Sequence, residues 1–279
     1  MAPPVLYFQS INPAAPRTLL LLHGSFSSHH EWDLVRATPH LAAYHLLIPD
    51  LPAHGHFSSA AIPLALPSTG ALLAQLIAQH AKGGQAGLVG MSLGGYISIY
   101  LAATRPERVD RELGVFVSGC GRPFPPPRSL MCWATGFVMF AAAWLVSHLP
   151  RFVTELVRRR TKLDLSEELW ADVKTAASYR LGQELSVVMS EDVKSGKTWK
   201  ELSGKVEARS LVVAGVLVDS EEECRVRGRE LRAGNEESRA FKVEGVRHAW
   251  HLQNPDLFAR GIKAWMERGK LPDEFVSLD

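Results

Sequence analysis

Apolar residues fall along this chain in short, solid runs separated by longer stretches in which they recur at helical spacing. The runs are Thr18–Leu22, His45–Pro49, Ala86–Val89, Leu113–Ser118, Ser210–Ala214 and Arg239–Val243. Apolar runs of this length, mostly without alternation, are what strands buried on both faces look like. Helical patterns occupy Glu31–Ala42, Ser68–Ala81, Leu93–Thr104, Glu221–Ala233 and Asp256–Arg268, and Pro106 closes the third of them. Strand and helix in alternation predict a mostly parallel sheet covered by helices on both faces, with Val5–Gln9 as an antiparallel edge.

The rhythm fails between Arg122 and Gly204. There the chain opens with Pro123-Phe124-Pro125-Pro126-Pro127, a stiff linker, and continues as consecutive helical stretches without a convincing strand. Residues 122–204 are therefore read as a helical cap, and residues 1–121 and 205–279 as the core. Within the cap, Leu130–Leu149 is almost free of charge and long enough to span a bilayer, but Ser147, His148 and Pro150 close it early. It is read as a buried or pocket-lining helix with no stable membrane span, contact of the cap with a membrane surface staying open.

The bulk numbers narrow the class. A chain of 279 residues with 46% hydrophobic content can bury an ample core. The net charge of +2 makes no case for nucleic acid, and Arg158-Arg159-Arg160 with Lys162 lacks interleaved aromatics, so it reads as a solvated helix end. Three cysteines, Cys120, Cys132 and Cys224, are odd in number and show no C-x-x-C spacing. With no basic-then-apolar leader at Met1–Val5, a reducing, cytoplasmic setting is expected. The pair His29-His30 has no metal-ligand partner at suitable spacing, so neither metal nor cofactor is expected. Oligomeric state is not legible.

The most informative stretch is Gly90-Met91-Ser92-Leu93-Gly94, a G-x-S-x-G sequence between a strand and a helix. A serine on such a turn has its hydroxyl pushed out at the sheet edge, and small neighbours let strand and helix approach. Its bland alternative is a serine that merely caps the helix. As a nucleophile Ser92 needs a base and an orienting acid. In the chain order Ser…Asp/Glu…His, Asp219 comes after the Ser210–Ala214 run and His248 after the Arg239–Val243 run. His251 competes with His248, while Glu221, Glu222, Glu223 and Asp192 compete with Asp219; the three glutamates read better as the negative first turn of a helix. The oxyanion would take the backbone N–H of Leu93 and that of Ser25, in the His23-Gly24-Ser25-Phe26 turn where His23 is structural.

These motifs together resemble the α/β-hydrolase fold with a helical cap. The resemblance rests on the His23-Gly24 turn, on Asp50-Leu51-Pro52-Ala53-His54-Gly55-His56-Phe57-Ser58, on the elbow, on the Asp219 loop, and on His248-Ala249-Trp250 with Asn254-Pro255-Asp256-Leu257-Phe258. The second stretch is similar to D-x-P-G-x-G-x-S, with Ala53 where glycine is usual, and Asp219 lies four residues after Gly215 where three is common. The resemblance implies a mostly parallel sheet flanked by helices, a cap inserted after the sixth strand, and carbonyl chemistry. The leading expectation is a serine hydrolase acting on an ester or thioester of a fairly apolar small molecule. The rivals are a lyase, acyltransferase or cyclase on the same scaffold, and a catalytically silent ligand-binding protein. Phe26, Trp133, Phe137, Phe140 and Trp250 are the candidate pocket residues, with core packing as their alternative role.

Overall fold

The computed structural model describes residues 6–57, 62–121, 124–190 and 198–279. Ser58 and Asp192 lie outside the described residues. Eight strands form one sheet among them: β1 (Phe8–Ile11), β2 (Thr18–Leu22), β3 (His45–Pro49), β4 (Gly87–Met91), β5 (Val115–Ser118), β6 (Ser210–Gly215), β7 (Arg239–Val243) and β8 (Phe275–Ser277). Their spatial order is β1-β3-β2-β4-β5-β6-β7-β8, parallel from β3 to β7 and antiparallel at the two edges. This is the doubly wound α/β-hydrolase architecture that the alternation of strand and helix predicts.

Every residue of β2, β3, β4, β5 and β6 is buried, which is why these strands read as unbroken runs. Alternate side chains feed separate cores: Leu20, Leu22, Leu88 and Val117 on one face, Leu19, Leu21, Val89 and Phe116 on the other. Helices α2 (Leu66–His80) and α3 (Leu93–Thr104) cover the first face, together with α9 (Glu221–Gly234). The second is covered by α1 (Asp33–Arg36) and α10 (Pro255–Met266).

Three expectations are corrected. The stretch Glu31–Ala42 is not one helix: a 3₁₀ turn at His29–Trp32, α1 and a second 3₁₀ turn at Pro39–Leu41 replace it, because Pro39 cannot continue a helix begun before it. The short β8 is not among the expected strands, and it pairs antiparallel with β7 as the outer edge. The insertion comes after the fifth strand in chain order rather than the sixth, since only five strands precede it among the described residues.

That insertion carries α4 (Leu130–Ser147), α5 (Arg151–Thr161), α6 (Glu167–Ala176), α7 (Tyr179–Val188) and α8 (Trp199–Ser203). Ser129, Ser166, Ser178 and Thr198 cap the starts of α4, α6, α7 and α8, each side chain accepting a backbone N–H of the first turn. Helices α4 and α7 cross closely where Gly136 meets Gly182: a Cβ on Gly182 would lie 2.4 Å from the Gly136 carbonyl oxygen. The last helix returns to the core, where the Trp199 ring packs 4.9 Å from that of Tyr96 and Arg227 donates to Ser203 Oγ.

The junction of β4 with α3 is the tightest approach in the core. A Cβ on Gly94 would sit 2.0 Å from the Leu22 carbonyl oxygen, and one on Gly90 would sit 2.4 Å from that of Gly94. Both obstacles are backbone and cannot swing aside. Gly94→Ala is expected to push α3 off β2 and cost at least about 3 kcal/mol, read as a fall in the urea midpoint; an unchanged midpoint would contradict the packing described.

Candidate active site

Ser92 sits between β4 and α3 with φ 52° and ψ −113°, a conformation sparsely populated by residues with a side chain. The Ser92 N–H donates to the Ser118 carbonyl, and the Ser92 carbonyl accepts from Gly95 and Tyr96. Backbone pairing on both sides over-determines the turn and keeps its strain. The Ser92 side chain caps nothing: no hydrogen bond from it to the helix start is present.

His248 and Asp219 arrive from the ends of β7 and β6. His248 Nδ1 lies 2.6 Å from Asp219 Oδ1. The other carboxylate oxygen accepts the Gly215 N–H at 3.0 Å, while the Asp219 N–H donates back to the Gly215 carbonyl. The four-residue spacing from Gly215 is thus absorbed by a turn that folds the acid back onto the strand end. Burial opposes a charged imidazole, but the hydrogen bond and charge of Asp219, with a smaller contribution from Glu31, outweigh it and raise the His248 pKa above its ordinary 6.5. Gly119, at φ 67°, makes room for the ring: a Cβ there would lie 2.5 Å from His248 Cε1.

The other candidates are engaged differently. His251 is fully buried, with Nε2 2.8 Å from Glu31 Oε1. Burial alone would raise the Glu31 pKa, but His251 and neighbouring donors reverse this and hold it at about 2. Glu31 Oε2 also accepts the Gly24 N–H at 2.8 Å, so this carboxylate clasps the turn after β2. Glu221, Glu222 and Glu223 form the first turn of α9, where Ser220 is the cap.

Neutral histidines fix the same turn. His23 Nδ1 is 2.8 Å from the Gly24 carbonyl and Nε2 accepts the Leu51 N–H, which assigns the proton to Nδ1. His54 repeats the arrangement, its Nδ1 on the Pro52 carbonyl and its Nε2 accepting from Phe26 N–H. Burial pushes the His54 pKa down to about 3. The N–H groups of Gly24 and Phe26, on either side of Ser25, are both engaged, by Glu31 and His54. The N–H of Leu93, first residue of α3, has no acceptor within its helix. Ala53, where glycine was expected, does adopt a positive φ of 65°.

His29 does have partners, contrary to the expectation from spacing: His29, Asp50 and His56 offer ligand atoms within 4.8 Å of one another. The Asp50 carboxylate is already engaged by the backbone N–H groups of His29 and His56 and lies against both imidazole Nδ1 atoms. It ties two loops together.

Ser92, Asp219, His248, Ser25 and Glu31 line one cavity of about 690 Å³, within the range of small-molecule sites. The cap supplies Phe124, Met139, Leu165, Leu169, Val173 and Met189 to its wall. None of the five pocket residues named from the sequence lines it. Phe26 turns into the core at φ 57°, and Trp250 is buried with Nε1 donating to Ser118 Oγ. Trp133 and Phe137 stack on the outer surface, and Phe140 packs edge-on to Tyr179. The reason is angular: Cys132, Gly136, Met139 and Ala143 form the inward stripe of α4, and the aromatic residues fall on adjoining stripes. Glu31 and Gly119 have no sequence signal, because nothing local distinguishes them from a helix-start acid and a turn glycine.

Known proteins share this fold. A model of the alpha/beta hydrolase family matches residues 19–261. A protein of Gibberella zeae named AB hydrolase superfamily protein is 33% identical over 281 aligned positions, 99% of this chain and 88% of its own length. Among solved structures, MenH from S. aureus superposes with a TM-score of 0.68 at 16% identity, covering 95% of this chain and 98% of its own. A thermophilic esterase from Thermogutta terrifontis does so with 0.66 at 20%, covering 94% and 93%. The structural likenesses, at such identities, speak for the fold; the family match and the Gibberella relative cover nearly the whole sequence. This chain belongs to the alpha/beta hydrolase family.

Proposed function

We propose that the protein is a serine hydrolase that cleaves a carboxylic ester or thioester of a fairly apolar small molecule. The observation that carries the reading is the convergence of a strained Ser92 and the 2.6 Å His248–Asp219 pair on one cavity with an apolar cap wall. His248 holds a proton on Nδ1 toward Asp219, which leaves the Nε2 lone pair as the base. Nε2 takes the Ser92 hydroxyl proton as Oγ attacks the substrate carbonyl, and the resulting oxyanion accepts the N–H groups of Leu93 and Ser25. Collapse breaks the ester C–O or thioester C–S bond, and the imidazolium returns its proton to the leaving group. Water then enters by the same base, splits the acyl-enzyme and releases the acid. The Ser25 hydroxyl, buried without a partner among the described residues, is a further donor available to the carbonyl oxygen.

Ser92→Ala is expected to abolish labelling by a fluorophosphonate and to lower kcat for a nitrophenyl ester by about a thousandfold or more. Labelling that persists in this variant would assign the nucleophile elsewhere.

The raised His248 pKa has a defined sign. The base acts when neutral, so kcat/KM falls as pH drops through a midpoint above 6.5. In Asp219→Ala, burial acts on the imidazole without its counter-charge; the acid limb should move to lower pH while the plateau falls about 10³-fold or more. A limb that stays in place would remove Asp219 from the pair.

His248→Ala should silence ester turnover without loss of stability. His251→Ala should leave Glu31 as an uncompensated buried carboxylate, costing about 3 kcal/mol, while the folded fraction still turns over ester. Equal losses of activity per folded molecule in the two variants would overturn this division of roles.

A further inference from the structure

Helix α4 is apolar along its whole length, yet it is not a core helix. No Asp, Glu, Lys or Arg occurs from Leu130 to Pro150, and the 18-residue helix has a mean hydropathy of 1.7. Only 17% of it is buried. Leu130, Phe137, Val138, Trp144 and Leu145, which share one side of the helix at 3.6-residue spacing, are 45–80% exposed. A continuous apolar surface of this kind is uncommon on a free soluble protein and marks a contact site. The opposite stripe is committed, since Gly136 packs on Gly182 of α7 and Met139 lines the cavity. The helix cannot leave the cap to cross a bilayer without dismantling that wall.

The neighbouring helix α5 indicates the chemistry of the covering partner. In α5, Phe152 and Leu156 are 77% and 54% exposed, and Arg160 continues the same side four residues on, beside Arg159. None of the described side chains of α5 is buried. Glu155 pairs with Arg158 and Arg159, and Asp164 with Arg158. Even so, residues 128–164 carry six Lys and Arg against two Asp and Glu. The exposed apolar side chains of α5 end in a basic turn, and the exposed side of α4, which precedes it in the chain, carries Trp133 and Trp144; this combination fits the boundary between acyl chains and anionic headgroups. Long arginine side chains reach the headgroups while their stems stay in the apolar layer. A second copy apposed through the same face would set this excess of cations, six against two anions in each copy, against itself.

We propose that α4 and the adjoining turn of α5 dock the protein on an anionic lipid surface, the helices lying in the interface. The inward stripe of α4 is a wall of the cavity, so docking places that wall within one helix diameter of the lipid. The docking is independent of the chemistry at Ser92.

The test is flotation of the full chain with vesicles of phosphatidylcholine, with and without 30 mol% phosphatidylserine. The wild type should float with the anionic vesicles, less in 0.5 M NaCl. The double change Val138→Glu and Leu145→Glu should lower partitioning at least about tenfold, and Arg158→Gln, Arg159→Gln and Arg160→Gln together should do likewise on anionic vesicles only. Both variants should keep the wild-type melting temperature and the wild-type rate toward a soluble ester, because the side chains changed are exposed. A wild type that stays at the bottom of the gradient with every vesicle overturns the proposal. So does a wild-type dimer that Val138→Glu with Leu145→Glu converts to monomer, which would give the face to a second copy.

Discussion

The close contact of α3 with β2 is the constraint on which the rest of the structure depends. Gly94 lies against the Leu22 carbonyl and Gly90 against that of Gly94, distances open only to residues without a side chain. That approach forces Ser92 into its positive-φ conformation and sets its side chain at the C-terminal edge of the sheet. The strain is held by backbone hydrogen bonds to Ser118 in front and from the first turn of α3 behind. A looser junction would relax Ser92 into an ordinary helix cap and remove it from the cavity.

Around that junction the loops are fixed by polar groups buried in complementary protonation states. His23 and His54 are kept neutral by burial, so each can accept one backbone N–H and donate to one carbonyl. Asp50 and Glu31 are kept charged by donors that outweigh their burial. The result is a floor whose turns are tied by hydrogen bonds on both sides of Ser25.

The cap has a different logic. Its helix α4 is apolar on both sides, and the two sides serve different neighbours: one closes the cavity and packs on α7, the other faces outward with aromatic and aliphatic side chains. A helix read only by hydropathy looks like core. The protein instead divides that hydropathy between an inner wall and an outer surface.

Strand positions, the elbow, the order of Ser92, Asp219 and His248, and the presence of a helical insertion were legible in the chain, because each depends on local regularity or on a short motif with a fixed geometry. Ala53 at a positive φ and Asp219 one residue late were legible as departures, and a turn absorbs the second. The break in Glu31–Ala42 is encoded by Pro39, against the helical period of the apolar residues around it. The pairing of His251 with Glu31, the room Gly119 makes for His248, and the cavity wall of Met139, Leu169, Val173 and Met189 were not legible. They join residues far apart in the chain, and no local period encodes them. By itself the sequence determined most of the strand and helix segments and the turn on which Ser92 stands, since burial period and backbone sterics act over a few residues. Only the tertiary structure decided which face of α4 looks into the cavity. That choice is made by the contact of Gly136 with Gly182, between two helices whose mutual rotation neither sequence segment specifies alone.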